Sequence, residues 1–242
     1  MRVLILGGTS GIGLALARHY LAQGDEVAVC GRDLARLPTD MQAQPRLQAI
    51  ALDMTDHTAL ARVVNDFAAH GLDLLVVSAG FYFNTRHEPL DAATTLRMLQ
   101  TNLGGLSRAF ELAAEKMLAQ KRGHLVAISS VAGLLHDYPG ASLYSATKRS
   151  VLSVCDSYRA GLKPFGIAVT AIAPGYVDTA KLRALNGGDA SHKPFILSEA
   201  QAVAHIVRAI QMRQAVAVFP WQMRWLIGLL NCLPSALLRL RR

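Results

Sequence analysis

The residue types best suited to acid–base chemistry in this 242-residue chain are Tyr144 and Lys148. They are four positions apart, and in a helix this spacing places both side chains on the same face. A lysine ammonium beside a phenol favours the phenolate and so lowers the tyrosine pKa from about 10 toward neutrality. A tyrosine with such a pKa can donate a proton to, or accept one from, a carbonyl or alcohol oxygen.

A glycine cluster close to the first residue has the composition of a phosphate-binding turn. The sequence there is Leu6-Gly7-Gly8-Thr9-Ser10-Gly11-Ile12-Gly13. Glycines at 7, 11 and 13 allow a tight turn and bring backbone amides close to an anion, and the helix predicted next directs its positive end at the same anion. The cluster lies between the first predicted strand and the first predicted helix, where a nucleotide-binding fold has such a turn.

The second predicted strand ends in Cys30-Gly31-Arg32-Asp33. In nucleotide-binding α/β folds an acid here binds the ribose 2′-hydroxyl, whereas an arginine accommodates a 2′-phosphate. Arg32 therefore points to NADP(H) as the preferred cofactor, with an exposed loop arginine as the alternative. Asp33 could serve the ribose hydroxyls and leave NAD(H) possible, but it is better placed as the N-cap of the next helix.

The elements that must position these residues alternate between short apolar runs and longer helical patterns. Most of the runs lack polar alternation, which is typical of strands covered by helices on both faces. The pattern predicts a single α/β domain with a parallel sheet and right-handed crossovers. Strands are predicted at residues 3–6, 27–30, 47–52, 72–77, 125–128, 167–172 and 216–219, and helices near residues 12–23, 57–70, 91–120, 142–163 and 198–212.

From about residue 2 to residue 220 the ordered motifs resemble the short-chain dehydrogenase/reductase family. The resemblance implies a Rossmann-like, doubly wound sheet of seven strands with helices on both faces. The matches are the nucleotide turn (Gly7, Thr9, Ser10, Gly11, Ile12 and Gly13), the acid at the adenine (Asp53, with Met54), the segment after the fourth strand (Ser78, Ala79 and Gly80), the relay asparagine (Asn102), the catalytic residues (Ser130, Tyr144 and Lys148) and the nicotinamide segment (Pro174, Gly175, Val177 and Thr179).

The resemblance also implies a role for each catalytic residue. Tyr144 would be the general acid in reduction and the base in oxidation. Lys148 would lower the pKa of Tyr144 and bind the nicotinamide ribose. Ser130 would hydrogen-bond the substrate oxygen as charge develops there. Asn102 would hold a water molecule that links Lys148 to solvent.

Three positions depart from the family pattern. Leu6 replaces a common threonine and Ser78 replaces an asparagine, which should affect turn packing and strand stability rather than chemistry. The interval from Ser130 to Tyr144 is one residue longer than usual, which leaves some room for Ser129 as the catalytic serine. Ser130 is preferred, because in the Ser-Ser-x-Ala-Gly pattern the second serine faces the substrate.

The leading hypothesis is an NADP(H)-dependent oxidoreductase that interconverts a carbonyl and a secondary alcohol, and that assembles as a homodimer or homotetramer. The alternative within enzymes is a 3-oxoacyl thioester reductase, since Lys181, Arg183 and Lys193 in the predicted substrate loop 176–197 could meet an anionic carrier. The alternative from another class is a non-catalytic, nucleotide-sensing relative. Such relatives commonly lose the tyrosine or the lysine, and this chain has both.

Composition excludes several other classes of protein. A hydrophobic content of 52% with only 17% charged residues argues against disorder. Three widely spaced cysteines exclude a disulfide framework, and the eight histidines show no metal-binding spacing, so no metal is expected. The net charge of +8 comes largely from scattered arginines without a basic stripe, so no nucleic-acid partner is expected. No secretory signal is recognisable, and a cytoplasmic location is expected.

Residues 221–242 are predicted to form an amphipathic, basic C-terminal extension to the domain at 1–220. Trp221, Trp225, Leu229 and Leu233 repeat every four residues and would share one face of a helix. The segment is too short and too polar to span a bilayer. Three interpretations remain open: a lid over the substrate pocket, a subunit contact, or peripheral contact with an anionic membrane.

Overall fold

The computed structural model describes residues 1–82, 91–135 and 143–232. Within these ranges seven strands form one parallel sheet, which confirms the predicted fold class and all seven predicted strands. The strands are β1 (Arg2–Leu6), β2 (Glu26–Gly31), β3 (Leu47–Ala51), β4 (Leu74–Val77), β5 (His124–Ile128), β6 (Ala168–Pro174) and β7 (Val216–Phe219). They lie in the order β3-β2-β1-β4-β5-β6-β7.

The strand order reverses direction between β1 and β4. Leu6, the last residue of β1, is in register with Cys30 of β2 on one side and with Val77 of β4 on the other. The carboxyl ends of these strands are therefore level, and the connections that leave them in opposite directions open a crevice. In open α/β sheets ligands bind at such a switch point.

Helices cover both faces of the sheet. The helices are α1 (Gly11–Ala22), α2 (Thr39–Gln42), α3 (His57–Ala68), α4 (Ala92–Leu99), α5 (Leu106–Gln120), α6 (Leu143–Leu162), α7 (Ala180–Ala184), α8 (Glu199–Gln211) and α9 (Trp221–Cys232). Buried side chains of α3, α5 and α6 form one hydrophobic core with the sheet, and those of α1 and α8 form a second core on the opposite face.

The single helix predicted over residues 91–120 is divided in the structure. A π-helical segment, Gln100–Gly105, separates α4 from α5. Gly105 lies so close to Met54 that an added Cβ atom would be 2.8 Å from the Met54 carbonyl oxygen. The consecutive glycines at 104 and 105 weaken the regular helix and permit this approach, and the wider turn carries Asn102 into the interior.

The segment predicted as substrate loop, 176–197, is fixed at both ends. Val177 pairs with Leu197 in an isolated parallel bridge, and α7 lies between them. The Thr179 hydroxyl caps α7, and Ser198 with Gln201 forms a capping box that begins α8. This segment thus has an ordered path over the carboxyl ends of the strands.

Residues 233–242 of the predicted extension lie outside the described residues, so the structure does not test the predicted place of Leu233 on the helix face. Among the residues that are described, no helix has both the length and the apolar character needed to cross a membrane.

We predict that Gly13→Ala destabilises the protein, because the new Cβ atom would lie 2.1 Å from the Gly7 carbonyl oxygen. Overpacking of this kind costs about 1–3 kcal/mol, which lowers the melting temperature by several degrees in a protein of this size. Gly161→Ala is the matched control, since a Cβ atom at this helical glycine meets nothing within 4 Å. Thermal unfolding of both variants checks the prediction, and equal melting temperatures would contradict it.

Candidate active site

The turn between β1 and α1 is folded tightly against two neighbouring strands. The amides of Gly7 and Gly8 donate to the Cys30 carbonyl at 2.8 and 3.0 Å. Gly7 has φ of +86°, and a Cβ atom there would lie 2.4 Å from the amide nitrogen of Ala79. Only glycine satisfies both conditions, so the turn can meet the ends of β2 and β4 together.

The N-terminus of α1 faces a cavity of about 500 Å³ above this turn. Ser10 is the N-cap of α1, and its side chain makes no capping hydrogen bond. The first amides of a helix have no intrahelical acceptor, so such an end binds anions. The cavity is lined by Thr9, Ser10, Gly11, Leu14, Arg36, Asp178, Ala180, Arg183, Ser198 and Glu199.

Three cationic side chains, Arg32, Arg36 and Lys181, gather at the edge of the crevice, and we call them the cationic cluster. Lys181 reaches from α7 to the opposite side, where its Nζ donates to the Gly80 carbonyl at 3.2 Å. Burial lowers the pKa of Lys181, and the charges of Arg32 and Arg36 lower it further. The cluster therefore concentrates positive charge where an anionic ligand would relieve the repulsion.

Asp33 lies beside this cluster and is engaged elsewhere. Its carboxylate accepts a hydrogen bond from the Ala35 amide at 3.0 Å as the N-cap of the short 3₁₀ helix Leu34–Arg36, and it also lies 3.5 Å from Arg36. The predicted capping role of Asp33 is confirmed.

Asp53 follows β3 and is held as a carboxylate. It accepts hydrogen bonds from the Thr55 amide and hydroxyl at 3.0 and 2.9 Å. Partial burial acts to raise the pKa of Asp53, but these bonds and the charges of Arg32 and Arg97 outweigh it and hold the pKa below its usual value. An ionised acceptor thus lies near Arg32, on the side of the crevice formed by β2 and β3.

The two adjacent serines after β5 have different environments. Ser129 is buried, and its hydroxyl donates to the Lys148 carbonyl at 2.7 Å, so it ties the strand end to α6. Ser130 is partly exposed, accepts a hydrogen bond from the Ala132 amide at 3.2 Å, and forms a side-chain hydrogen bond with Tyr144. Of the two alternatives that the sequence left open, Ser130 is the one beside the tyrosine.

Tyr144 and Lys148 lie on the first turns of α6 and face the same space. Burial raises the pKa of Tyr144 to about 12, while the hydrogen bond from Ser130 opposes that rise. Burial, with the charge of Lys181, lowers the pKa of Lys148 to about 8. The Lys148 ammonium donates to the Ile128 carbonyl at 2.9 Å and lies 5.7 Å from the centre of the tyrosine ring.

This geometry differs from the sequence expectation in one respect. The sequence predicted that Lys148 would lower the pKa of Tyr144 toward neutrality, whereas burial dominates and raises it. The physical reason is that the phenol is withdrawn from water while the ammonium is directed at a backbone carbonyl rather than at the phenol.

Asn102 connects the π-helical segment to the same centre. Its side-chain oxygen accepts from the Phe81 amide at 2.7 Å, and its Nδ2 donates to the Phe81 carbonyl and to the Thr147 hydroxyl at 2.9 and 3.2 Å. A Cβ atom on Gly80 would lie 3.4 Å from Lys148 Nζ and 3.6 Å from Asn102 Oδ1. Asn102 thus fixes the chain after β4 against α6.

Aromatic residues after β4 form one wall of the site. The Tyr82 ring packs edge-on against the Tyr144 ring with centroids 4.8 Å apart, and Arg97 lies 5.2 Å from the Phe81 ring. The sequence left open whether residues 81–83 line a pocket or pack beneath it. Tyr82 lies directly beside Tyr144, and Phe83 lies outside the described residues.

The segment after β6 completes the crevice. The Gly175 amide donates to the Phe219 carbonyl at 2.7 Å, which continues the alignment of β6 with β7. Thr179 lies opposite the nucleotide turn, since a Cβ atom on Gly11 would be 3.4 Å from its methyl group. The turn and the segment after β6 therefore face each other across one opening.

The structure thus brings the predicted residues of the turn, the strand ends and α6 to a single edge of the sheet. Sequence reasoning missed Thr147, although its position one turn after Tyr144 was a signal. It considered Lys181 as a loop cation that could meet an anionic carrier, and not as part of the cluster with Arg32 and Arg36. No group of three His, Cys, Asp or Glu side chains that could hold a metal ion occurs in the part of the chain that the structure describes.

Comparisons with known proteins assign the family. The family model described as short chain dehydrogenase matches residues 1–189. An uncharacterised oxidoreductase of Myxococcus xanthus is 31% identical over 97% of this chain and 93% of its own length. An uncharacterised oxidoreductase of Mycobacterium tuberculosis is 30% identical over 98% of this chain and 96% of its own length. The chain therefore belongs to the short-chain dehydrogenase family of oxidoreductases.

Solved structures share the fold over nearly the whole chain. A short-chain dehydrogenase from Sphingobium yanoikuyae in complex with NADPH is 25% identical and covers 96% of this chain and 95% of that one, with a TM-score of 0.81. A short-chain dehydrogenase from Burkholderia cenocepacia in complex with NADP is 20% identical and covers 99% of this chain and 97% of that one, with a TM-score of 0.83. The fold and the family membership thus agree with the resemblance read from the sequence.

We predict that the two serines separate stability from activity. Ser130→Ala should lower turnover strongly with little change in melting temperature. Ser129→Ala should lower the melting temperature, because it removes the buried hydrogen bond from the Ser129 hydroxyl to the Lys148 carbonyl, at a cost of about 0.5–1.5 kcal/mol. Thermal unfolding and steady-state rates of the two variants check this, and the reverse pattern would assign the site to Ser129.

Proposed function

We propose that this protein is an NADP(H)-dependent oxidoreductase that interconverts a carbonyl and a secondary alcohol. The observation that carries the proposal is the meeting of Ser130, Tyr144 and Lys148 beside Gly80, at the edge of the sheet that also holds the glycine turn. The space beside the glycine turn is thus surrounded by a proton donor (Tyr144), a hydrogen-bond donor (Ser130) and a buried cation (Lys148).

The residues around the turn fit a dinucleotide. Gly7 and Gly13 leave no space for a Cβ atom, so backbone closely surrounds the cavity at the N-terminus of α1. We assign the pyrophosphate to Gly7, Thr9, Ser10, Gly11, Ile12 and Gly13, the adenosine to Arg32, Asp53 and Met54, and the nicotinamide half to Ser78, Ala79, Gly80, Tyr144, Lys148, Pro174, Gly175, Val177 and Thr179. When bound, the cofactor supplies or accepts the hydride.

The remaining chemistry is a proton transfer at the substrate oxygen. In reduction Tyr144 donates its phenolic proton to that oxygen, and in oxidation it accepts the proton. Ser130 donates a hydrogen bond to the same oxygen as negative charge develops there. Burial is the largest cause of the raised pKa of Tyr144, which is about 12. Lys148 would favour the phenolate during turnover through an N–H of its ammonium that is not bonded to the Ile128 carbonyl.

Asn102 acts as a positioning residue in this proposal. Its amide holds Phe81 and Thr147, and Thr147 in turn donates to the Tyr144 carbonyl at 2.8 Å. This network sets the distance between the chain after β4 and the start of α6. The water molecule that the family resemblance places between Asn102 and Lys148 stays a prediction.

The preference for NADP(H) rests on the cationic cluster. Arg32, Arg36 and Lys181 lie together at the end of β2, where a 2′-phosphate would meet them. The carboxylate of Asp33, which would favour NAD(H), is held by the Ala35 amide and Arg36. NAD(H) stays possible as a weaker ligand, since it differs from NADP(H) only in lacking the 2′-phosphate that the cationic cluster would meet.

The two alternative functions, a 3-oxoacyl thioester reductase and a non-catalytic nucleotide sensor, have less support. Arg183, one of the loop cations suggested for an anionic carrier, is paired with Asp178 at 2.9 Å, and Lys193 lies 5.7 Å from the Tyr176 ring. A non-catalytic, nucleotide-sensing role would leave the hydrogen bond between Ser130 and Tyr144 unexplained. A homodimer or homotetramer stays a prediction.

We predict that Tyr144→Phe lowers turnover by at least about 10²-fold, because it removes the proton donor and keeps the ring. Binding of NADPH should be preserved. The measurement is NADPH consumption over a panel of ketones, quinones and 3-oxoacyl thioesters, with binding followed by calorimetry. Tyr158→Phe, which removes a phenol from the same helix, is the control and should retain wild-type rates. A Tyr144→Phe variant of near wild-type rate would overturn the assignment.

We predict that Arg32→Ala weakens NADPH binding by at least about tenfold, or 1.4 kcal/mol, and leaves NADH binding nearly unchanged. The reason is that the guanidinium would pair with the 2′-phosphate, which NADH lacks. Calorimetric titration of each variant with both cofactors provides the measurement. Arg62→Ala, an exposed arginine on α3, removes the same charge and should change neither affinity. An equal loss for both cofactors would contradict the role of Arg32.

A further inference from the structure

Helix α9 carries an apolar stripe that no other part of the described structure covers. Trp221, Trp225 and Leu229 follow one another at intervals of four residues and are 67%, 73% and 62% exposed. Leu226 flanks them and is also exposed. Single exposed apolar residues are ordinary, but a contiguous patch with two tryptophans marks an interaction surface. We call these four residues the tryptophan stripe.

The orientation of the stripe is fixed by the opposite face of the helix. Met223 and Ile227 are buried, and Met223 Cγ would lie 3.0 Å from a Cβ atom placed on Gly175. Asn231 Nδ2 donates to the Leu134 carbonyl at 2.8 Å. The helix is therefore docked on the domain through Met223, Ile227 and Asn231, and the tryptophans point away from it. This orientation does not support a lid that closes over the site through the tryptophan face.

The charged residues that follow Glu199 in the sequence all have one sign. No aspartate or glutamate follows Glu199 in the sequence, whereas six arginines do. One of them, Arg224, is exposed on α9 between the two tryptophans. The others are Arg208, Arg213, Arg239, Arg241 and Arg242. A partner surface must therefore accept both indole rings and the exposed guanidinium group of Arg224.

A second copy of this chain fits these requirements poorly. In a two-fold contact the same patch faces itself, so Arg224 would approach its own counterpart, and α9 carries no carboxylate that could pair with it. Like charges brought together in this way cost binding energy. An anionic phospholipid surface supplies what is missing, because its phosphates pair with arginine and its interfacial layer is where tryptophan is enriched.

We propose that α9 binds peripherally to anionic phospholipid bilayers, with the tryptophan stripe in the interfacial layer. A twelve-residue helix spans about 18 Å, so it lies in the plane of the surface rather than across the bilayer. The buried face stays on the protein while the exposed face contacts lipid. The proposal concerns a helix beyond the residues that the family model matches, and it does not depend on the proposed oxidoreductase activity.

The chain provides its own reporter for the test, since Trp221 and Trp225 are its two tryptophans. The full chain is mixed with vesicles of phosphatidylcholine and phosphatidylglycerol at 3:1, and with vesicles of phosphatidylcholine alone. We expect tryptophan emission to move to shorter wavelength and the protein to sediment with the anionic vesicles only. Added salt should weaken this binding, because the arginine–phosphate attraction is screened.

Variants assign the binding to the stripe. Trp221→Gln with Trp225→Gln should reduce vesicle binding by at least about tenfold, and Arg224→Gln should reduce it less. Phe165→Gln is the matched control, since Phe165 is an exposed aromatic residue away from α9 and its loss should leave binding unchanged. All four substitutions are at exposed positions, and circular dichroism with thermal unfolding verifies that the variants fold.

Three results would overturn the proposal. The first is equal binding to both kinds of vesicle, and the second is binding that survives loss of both tryptophans. The third is no vesicle binding together with an emission shift that depends on protein concentration and a smaller oligomer for the double variant, which would assign the stripe to a second copy of the chain.

Discussion

Contact between backbone segments at the end of β1 is the constraint on which the rest of the site depends. Gly7 and Gly13 bring the turn, α1 and the chain after β4 so close together that a single methyl group would not fit between them. The amides of Gly7 and Gly8 and those of Ser78 and Ala79 are satisfied across these contacts by strand-end carbonyls. Because the ends of three strands are locked at one level, the side chains after them meet in one crevice.

Electrostatics in this crevice are dominated by two lysine ammonium groups, of which Lys148 is buried and Lys181 is exposed at the surface. Lys148 and Lys181 both have lowered pKa values, with burial as the first cause and a neighbouring cation as the second. Each ammonium is held by a backbone carbonyl, Ile128 for Lys148 and Gly80 for Lys181. Backbone carbonyls compensate the charges only in part. The arrangement therefore favours an anionic ligand. It also directs the Lys148 ammonium at the Ile128 carbonyl and not at the phenol of Tyr144, whose deprotonation Lys148 would assist.

The same domain presents a second surface of different character. Helix α9 packs on the domain through its buried face, which carries Met223 and Ile227, while the tryptophans point outward. Its contacts reach Gly175 and Leu134, which belong to the segments that border the candidate active site. The exposed stripe is thus attached rigidly to the part of the molecule that contains the site.

The sequence by itself determined the parallel sheet and its seven strands, because apolar runs and glycine spacing are local patterns. It also predicted the residues of the candidate site, since the interval from Tyr144 to Lys148 is a local pattern too. It preferred Ser130 to Ser129 only from the family pattern, since the packing of α6 is what shows which hydroxyl bonds the Lys148 carbonyl and which lies beside Tyr144. It predicted one continuous helix over 91–120 and missed the π-helical segment, because that segment depends on the long-range contact of Gly105 with Met54. It also grouped Trp221 with Trp225 correctly but could not show that this face points outward, since periodicity gives a shared face and only tertiary packing decides which face the core accepts.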